Sequence, residues 1–166
     1  AGLNLPGTLR PGAQAWLGSR DEGALAEGCA RLGVPFLGGF GLGRGAARLL
    51  RLPRDWRRLN AAVRELKIEV VHLHRSDDQL LARLGRARRR RFLVVRTWHR
   101  DPARLSGPLL REAAKSCDAF CCVAREHEAL LRERTGKPCQ YLFPGVDTEL
   151  FLPRARPLEA EAPLRL

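Results

Sequence analysis

Methionine is absent from all 166 residues. Lysine is nearly absent as well, with Lys67, Lys115 and Lys137 set against a large excess of arginine. A chain without methionine carries no initiator, so its natural start is expected to lie upstream. The opening AGLNLPGTLRPG lacks the charged-then-apolar pattern of a secretory leader. No run approaches the roughly 18 apolar residues that a membrane span requires. These absences point to a cytoplasmic protein. The five cysteines, Cys29, Cys117, Cys121, Cys122 and Cys139, are odd in number and contain no CxxC. That pattern excludes a disulfide framework and favours buried, reduced thiols. A zinc site from Cys117, Cys121, Cys122 and His127 would need an irregular spacing outside the usual templates. With one tyrosine and 6% aromatic residues, the chain offers no stacking platform for single-stranded nucleic acid. No helix-turn-helix or zinc-finger pattern is present either.

What is present is a globular composition. Hydrophobic residues make up 45% and charged residues 29%, a balance that buries a core instead of leaving the chain disordered. At this length one domain can bury about 70% of its unfolded surface. Short apolar runs recur at 13–19, 34–37, 68–74, 91–97, 118–124 and 139–143. Helical patterns fill most of the intervals. Residues 21–32 open on Asp21 and Glu22 and close on Arg31 before Gly33, the order a helix dipole prefers. Residues 54–66 set Trp56, Leu59, Val63 and Leu66 on one face, with Pro53 expected at the helix start. Ser76, Asp77, Asp78 and Gln79 read as a capping box before Leu80, Leu81 and Leu84. Ser106 and Pro108 open a helix running to about Ser116, and residues 125–136 form another, capped by Gly136.

Strands alternating with helices across short connections predict a parallel sheet covered by helices on both faces. The strand runs are continuous, as in strands buried on two sides. The expected fold is therefore a Rossmann-like α/β domain. In such folds ligands sit beyond the carboxyl ends of the strands. Two of those ends carry chemistry: His74, Arg75, Ser76 and Asp77 follow the 68–74 run, and Trp98, His99, Arg100 and Asp101 follow the 91–97 run. A helix N-terminus at Ser76 suits phosphate or sugar oxygens. Arg96 and Arg100 add charge-assisted donors, and His99 can exchange a hydrogen bond with a hydroxyl near neutral pH. His72 is expected to face the helices as a satisfied core histidine.

Residues 34–50, VPFLGGFGLGRGAARLL, place Gly41, Gly43 and Ala46 in a dinucleotide-like spacing between strand and helix. The acidic residue needed about 20 residues on is missing, because the next strand ends in HLH. Gly38, Gly39 and Gly41 then read as a long connection. The net charge of +12 is concentrated in residues 83–100 and in Arg44, Arg48, Arg51, Arg54, Arg57 and Arg58. Such faces suit an anionic membrane surface, or RNA through its phosphates without base specificity.

The segment VRELKIEVVHLHRSDDQLLARLGRARRRRFLVVRTWHR resembles a signature in which a helix leads to "DvvHaH", a helix, and a strand ending "TxH". LLREAAKSCDAFCCVAREHEALLRERTGKPCQYLFPGVDTELFLP resembles its continuation, and LAEGCARLGVPFL an earlier element. Together, from about Gln14 to Pro153, they resemble the amino-terminal, acceptor-side domain of the retaining GT-B-fold glycosyltransferases, a family that includes bacterial mannosyl- and lipopolysaccharide-core transferases.

The resemblance implies one half of a GT-B fold over residues 1–150, without its first strand. Residues 151–166 would be the linker and the beginning of a carboxyl-terminal domain that holds most of the nucleotide-sugar site. It implies sugar transfer from a nucleotide-sugar donor to a cell-envelope glycan or lipid-linked acceptor, with no cofactor and no metal. The enzyme would be cytoplasmic, at the inner face of the membrane, and this chain alone would be inactive. His99 matches the histidine that faces the transferred sugar. Thr97 and Arg100 flank it, and Ser76 and Asp77 match the turn that approaches the acceptor. Arg96 completes the expected binding set. Ala124 stands where the family often has Ser, and Pro144 where Asn is common. A basic, non-catalytic module that docks RNA or an acidic partner is the alternative expectation.

Overall fold

The computed structural model describes residues 12–20, 23–41, 47–75, 78–87, 92–104, 106–143 and 145. Two parallel sheets form. Strand β1 (Leu17–Gly18) pairs with β2 (Phe36–Leu37), with α1 (Ala24–Arg31) between them. A four-stranded sheet follows in the order β3-β4-β5-β6, from Val70–Leu73, Leu93–Trp98, Ala119–Cys122 and Cys139–Tyr141. All of its pairings are parallel. Parallel neighbours need crossovers, and helices α3 (Gln79–Ala87), α4 (Gly107–Ser116) and α5 (Glu126–Thr135) supply them. The expected parallel α/β fold is the observed one.

Strands consecutive in both chain and sheet, joined by right-handed crossovers, put their helices on one face. The core shows this. Leu73, Val94, Trp98, Phe120, Cys122 and Cys139 from the strands bury against Trp56, Val63, Leu81, Leu110, Ala113 and Leu131 from the helices. The opposite face carries the alternate residues. There Val70 and Leu93, register partners, remain 48% and 57% exposed. The helices therefore cover this face, while on the opposite face exposure gives way to burial toward the carboxyl ends of the strands, where Thr97 and Cys121 are buried.

Helix α2 spans Ala47–Glu65, and Pro53 lies inside it. The expected start at Pro53 is therefore corrected. Pro53 removes one backbone donor, yet the flanking Ala, Leu and Arg residues are strong helix formers and carry the helix through it. The remaining boundaries follow their signals. Ser106 is extended, with Pro108 in the first turn of α4, and Gly136 caps α5 in the left-handed conformation at φ 64°. The Ser76–Gln79 box is described only from Asp78 onward.

The glycine connection is pinned rather than loose. The Gly41 N–H donates to Asp55 Oδ1 at 2.8 Å, and Asp55 is fully buried on α2. Gly39 has φ +77°, and a β-carbon there would lie 2.7 Å from the Arg58 guanidinium. The positive φ favours glycine, and a side chain there would also have to displace the Arg58 head group. The Gly41 N–H is thus committed to a carboxylate, which argues against phosphate at that point. Gly43 and Ala46 lie outside the described residues.

All five cysteines are free and buried. Cys122 Sγ lies 4.0 Å from Cys139 Sγ on the neighbouring strand. Burial, the largest cause, pushes the Cys139 thiol up to about 12 and raises that of Cys122 as well. These are packing thiols. Among the described residues no three His, Cys, Asp or Glu side chains form a group that could hold a metal ion.

Candidate functional site

Alternation along β3 and β4 decides what reaches the carboxyl edge of the sheet. Successive strand residues point to opposite faces. Leu73 on β3 faces the helices with Val94, Arg96 and Trp98 on β4. His72 on β3 faces the open side with Val95 and Thr97 on β4, and His74 and His99 follow at the strand ends. The parallel register sets Leu73 beside Arg96 and His72 beside Val95, so β3 and β4 end side by side.

The open side gathers three imidazoles. His72 Nε2 and Thr97 Oγ1 are hydrogen-bonded at 2.7 Å. The His72 and His74 rings lie 4.5 Å apart. His74 Nδ1 and His99 Nε2 are hydrogen-bonded at 3.3 Å. The expectation that His72 packs among the helices is corrected: it is an exposed residue on the opposite face. A period of two puts His72 on the same face as His74. Although the residue is exposed, its ring is partly desolvated where it meets Thr97 and His74. The His72 pKa is lowered from 6.5 to about 4, chiefly by burial and then by His74 and His99. His74 is lowered too, again by burial first and His99 second, against a smaller opposing effect of Asp78. Crowded imidazoles cannot all take a proton without mutual repulsion.

Arg96 takes the other face. It is buried, its guanidinium lies 4.1 Å from the Trp98 ring centre, and its Nη1 donates to Gln79 Oε1 at the start of α3. Burial lowers its pKa, offset by Cys117 and Asp78. The structure therefore groups His99 with Thr97 and does not bring Arg96 to them. Arg100 is exposed just beyond His99. Ser76 and Asp77 lie outside the described residues, although Asp78 Oδ2 accepts the Arg75 N–H at 3.1 Å beside them.

The loop after β4 is anchored on its far side. Asp101 Oδ1 accepts the Ala103 N–H at 2.9 Å and lies 3.8 Å from His127 Nε2 on α5. Arg134 donates to the Pro102 carbonyl at 2.7 Å, and Pro102 is fully buried. His99 thus projects from a loop held on both sides of it. Its Nδ1 has no hydrogen-bond partner among the described residues and can meet a ligand hydroxyl.

A parallel α/β half-domain that presents histidines and an exposed arginine beyond adjacent strand ends fits a sugar- or phosphate-bearing ligand. The model of Glycosyltransferase Family 4 matches residues 18–150. This chain belongs to that family. No curated protein matches it. As a family-4 domain it is of glycosyltransferase type, which implies a nucleotide-sugar donor and an acceptor. The match takes in both strand ends just described and also Val146–Leu150, which are not among the described residues. No helix among the described residues is long and apolar enough to cross a membrane.

What sequence reasoning missed is the coupling of His72 to the His74–His99 pair. The signal was available in HLH, because residues two apart on a strand share a face.

Proposed function

We propose that this chain is the acceptor-side domain of a retaining GT-B glycosyltransferase. It moves a sugar from a nucleotide donor to a cell-envelope glycan or lipid-linked acceptor, of the kind that mannosyl- and lipopolysaccharide-core transferases use. The observation that carries this reading is His99 at the end of β4. Its Nδ1 is open, and its ring is paired with His74 at the edge where α/β folds bind ligands.

In this reading His99 hydrogen-bonds the donor sugar as positive charge develops at the anomeric carbon. It orients and stabilises and takes no proton, since a preorganised contact acts without rearrangement. Thr97 is buried and its hydroxyl is hydrogen-bonded to His72, so it supports the imidazole group from behind. Arg100 contacts an anionic group of the donor. Ser76 and Asp77 contact the acceptor. Arg96 holds the start of α3 through Gln79 and shapes the site from behind. No cofactor or metal takes part, so turnover is expected to survive a chelator.

The donor is held mainly by a second Rossmann-like domain that begins within residues 151–166 and closes over this edge. Transition-state contacts in a two-domain cleft come from both walls, so the 166-residue chain alone should transfer no sugar. Measurable transfer by this chain alone would contradict the two-wall account. The direct test joins the chain to its carboxyl-terminal domain and measures transfer from a panel of nucleotide sugars. Transfer with retained anomeric configuration supports the proposal, whereas no transfer from any donor removes it.

The membrane partner rests on α2. Arg51, Arg54, Arg57 and Arg58 are exposed there, and Leu50 is 86% exposed beside them. Basic side chains next to an apolar one suit an anionic bilayer surface at the inner face of the membrane. Binding to vesicles containing anionic lipid should weaken as salt rises. Salt-insensitive, sequence-selective RNA binding would contradict it.

A further inference from the structure

Resting on that reading, the histidine pair can be resolved one step further. We propose that His74 is a positioning residue that fixes the ring orientation and tautomer of His99, with His72 and Thr97 bracing His74 from behind.

Three observations carry this. His74 Nδ1 and His99 Nε2 are 3.3 Å apart, so one ring must donate an N–H to the lone pair of the other. One N–H proton therefore lies between the two rings. The position of that proton dictates the character of the free His99 Nδ1. If His99 carries the proton on Nε2, its Nδ1 accepts from a sugar hydroxyl. If His74 donates from its Nδ1, then His99 Nδ1 carries a proton and donates to a sugar oxygen. Either way the pairing ties the tautomer of His99 to that of His74, which an isolated imidazole in a loop would not do.

The second observation is the backing. The His72 ring lies 4.5 Å from His74, and its Nε2 is hydrogen-bonded to Thr97 Oγ1 at 2.7 Å. Thr97 is itself buried in β4 beside Cys121 of β5. A chain of contacts thus runs from the rigid sheet through Thr97, His72 and His74 to His99. The third is charge state. His72 and His74 are both shifted toward their neutral forms, which favours a lone pair on His74 for the contact. Arg75 and Arg100 add positive charge nearby in the chain, and Asp78 is the carboxylate that acts on His74.

The test uses variants at His74. Alanine removes the contact, whereas asparagine keeps a hydrogen-bonding atom near the place of Nδ1. Histidine ring ¹⁵N shifts of the 166-residue chain, recorded above neutral pH, report the tautomer without any need for activity. His99 should show one tautomer in the parent chain, a mixture in His74→Ala and one tautomer again in His74→Asn. In the complete enzyme, His74→Ala should lower kcat about tenfold through misplacement of His99 and leave the donor KM within about twofold. His74→Asn should recover most of the loss. An unchanged His99 spectrum in a folded His74→Ala chain overturns the inference, even if the enzyme is a glycosyltransferase. Absence of transfer from the parent enzyme overturns the functional reading instead, and leaves the spectral result to decide the coupling.

Discussion

Arg96 and Thr97 are neighbours in the chain and end up in different worlds. Arg96 is buried among the helices, stacked on Trp98 and bonded to Gln79. Thr97 points to the other face and is buried there, where it holds His72 and, through it, the imidazole group. Both were candidates for the same site, because sequence places both just before the end of a strand. The pleat separates them. On one face the side chains make a core with the helices, and on the other the buried Thr97 supports the exposed His72, His74 and His99. The difference teaches that nearness to a strand end is not enough; parity along the strand decides which residues can touch a ligand.

The contrast can be broken from the core side first. Phe120 is fully buried and meets Trp98 edge-on, with ring centres 6.3 Å apart. Phe120→Ala should destabilise the domain by about 3–5 kcal/mol, the usual range for a buried aromatic. Denaturant unfolding measures it, and a loss under about 1 kcal/mol would mean that the helix-facing side is not the tightly packed one. A smaller effect is expected at Arg96. Arg96→Ala removes the bond to Gln79 and the contact with Trp98, and should cost about 2 kcal/mol. If instead it abolished donor binding with stability intact, Arg96 would belong with the ligand face.

The fold was largely legible, because apolar runs and helix signals survive without tertiary information. Gly136 and Ser106 did in the structure what their positions announced. Pro53 did not, since proline as a first-turn residue and proline tolerated inside a helix look alike in one dimension. The site was half legible. His99 could be placed at a strand end, but the pairing with His74 depends on two strands lying in register. The role of His72 was misread through a lapse of parity, which period-two counting would have prevented. The sorting of Arg96 needed the pleat as well. Ser76 and Asp77 lie outside the described residues, so the acceptor turn stays a proposal.

A still smaller effect sharpens the open face through pH. His72 is held near a pKa of about 4 in the folded chain, against 6.5 when unfolded. Between those values the unfolded state binds more protons, so stability is present above about 6.5 and is lost as pH falls toward 4. Because His72 is exposed, solvent screening limits its contribution to about 1 kcal/mol. Melts across that window should show the decline in the parent and a flatter profile in His72→Ala. An equal slope in both would mean that the imidazole group does not crowd His72.

The central claim is that the open face at the end of β4 performs the chemistry. His99→Ala, made in the enzyme that includes the carboxyl-terminal domain, tests it most directly. Melts and initial rates are measured together. Turnover should fall roughly 10²–10³-fold, the cost of one well-placed transition-state hydrogen bond, with donor KM and melting temperature nearly unchanged. An early melt together with normal turnover of the folded fraction would make His99 a structural residue and contradict the account.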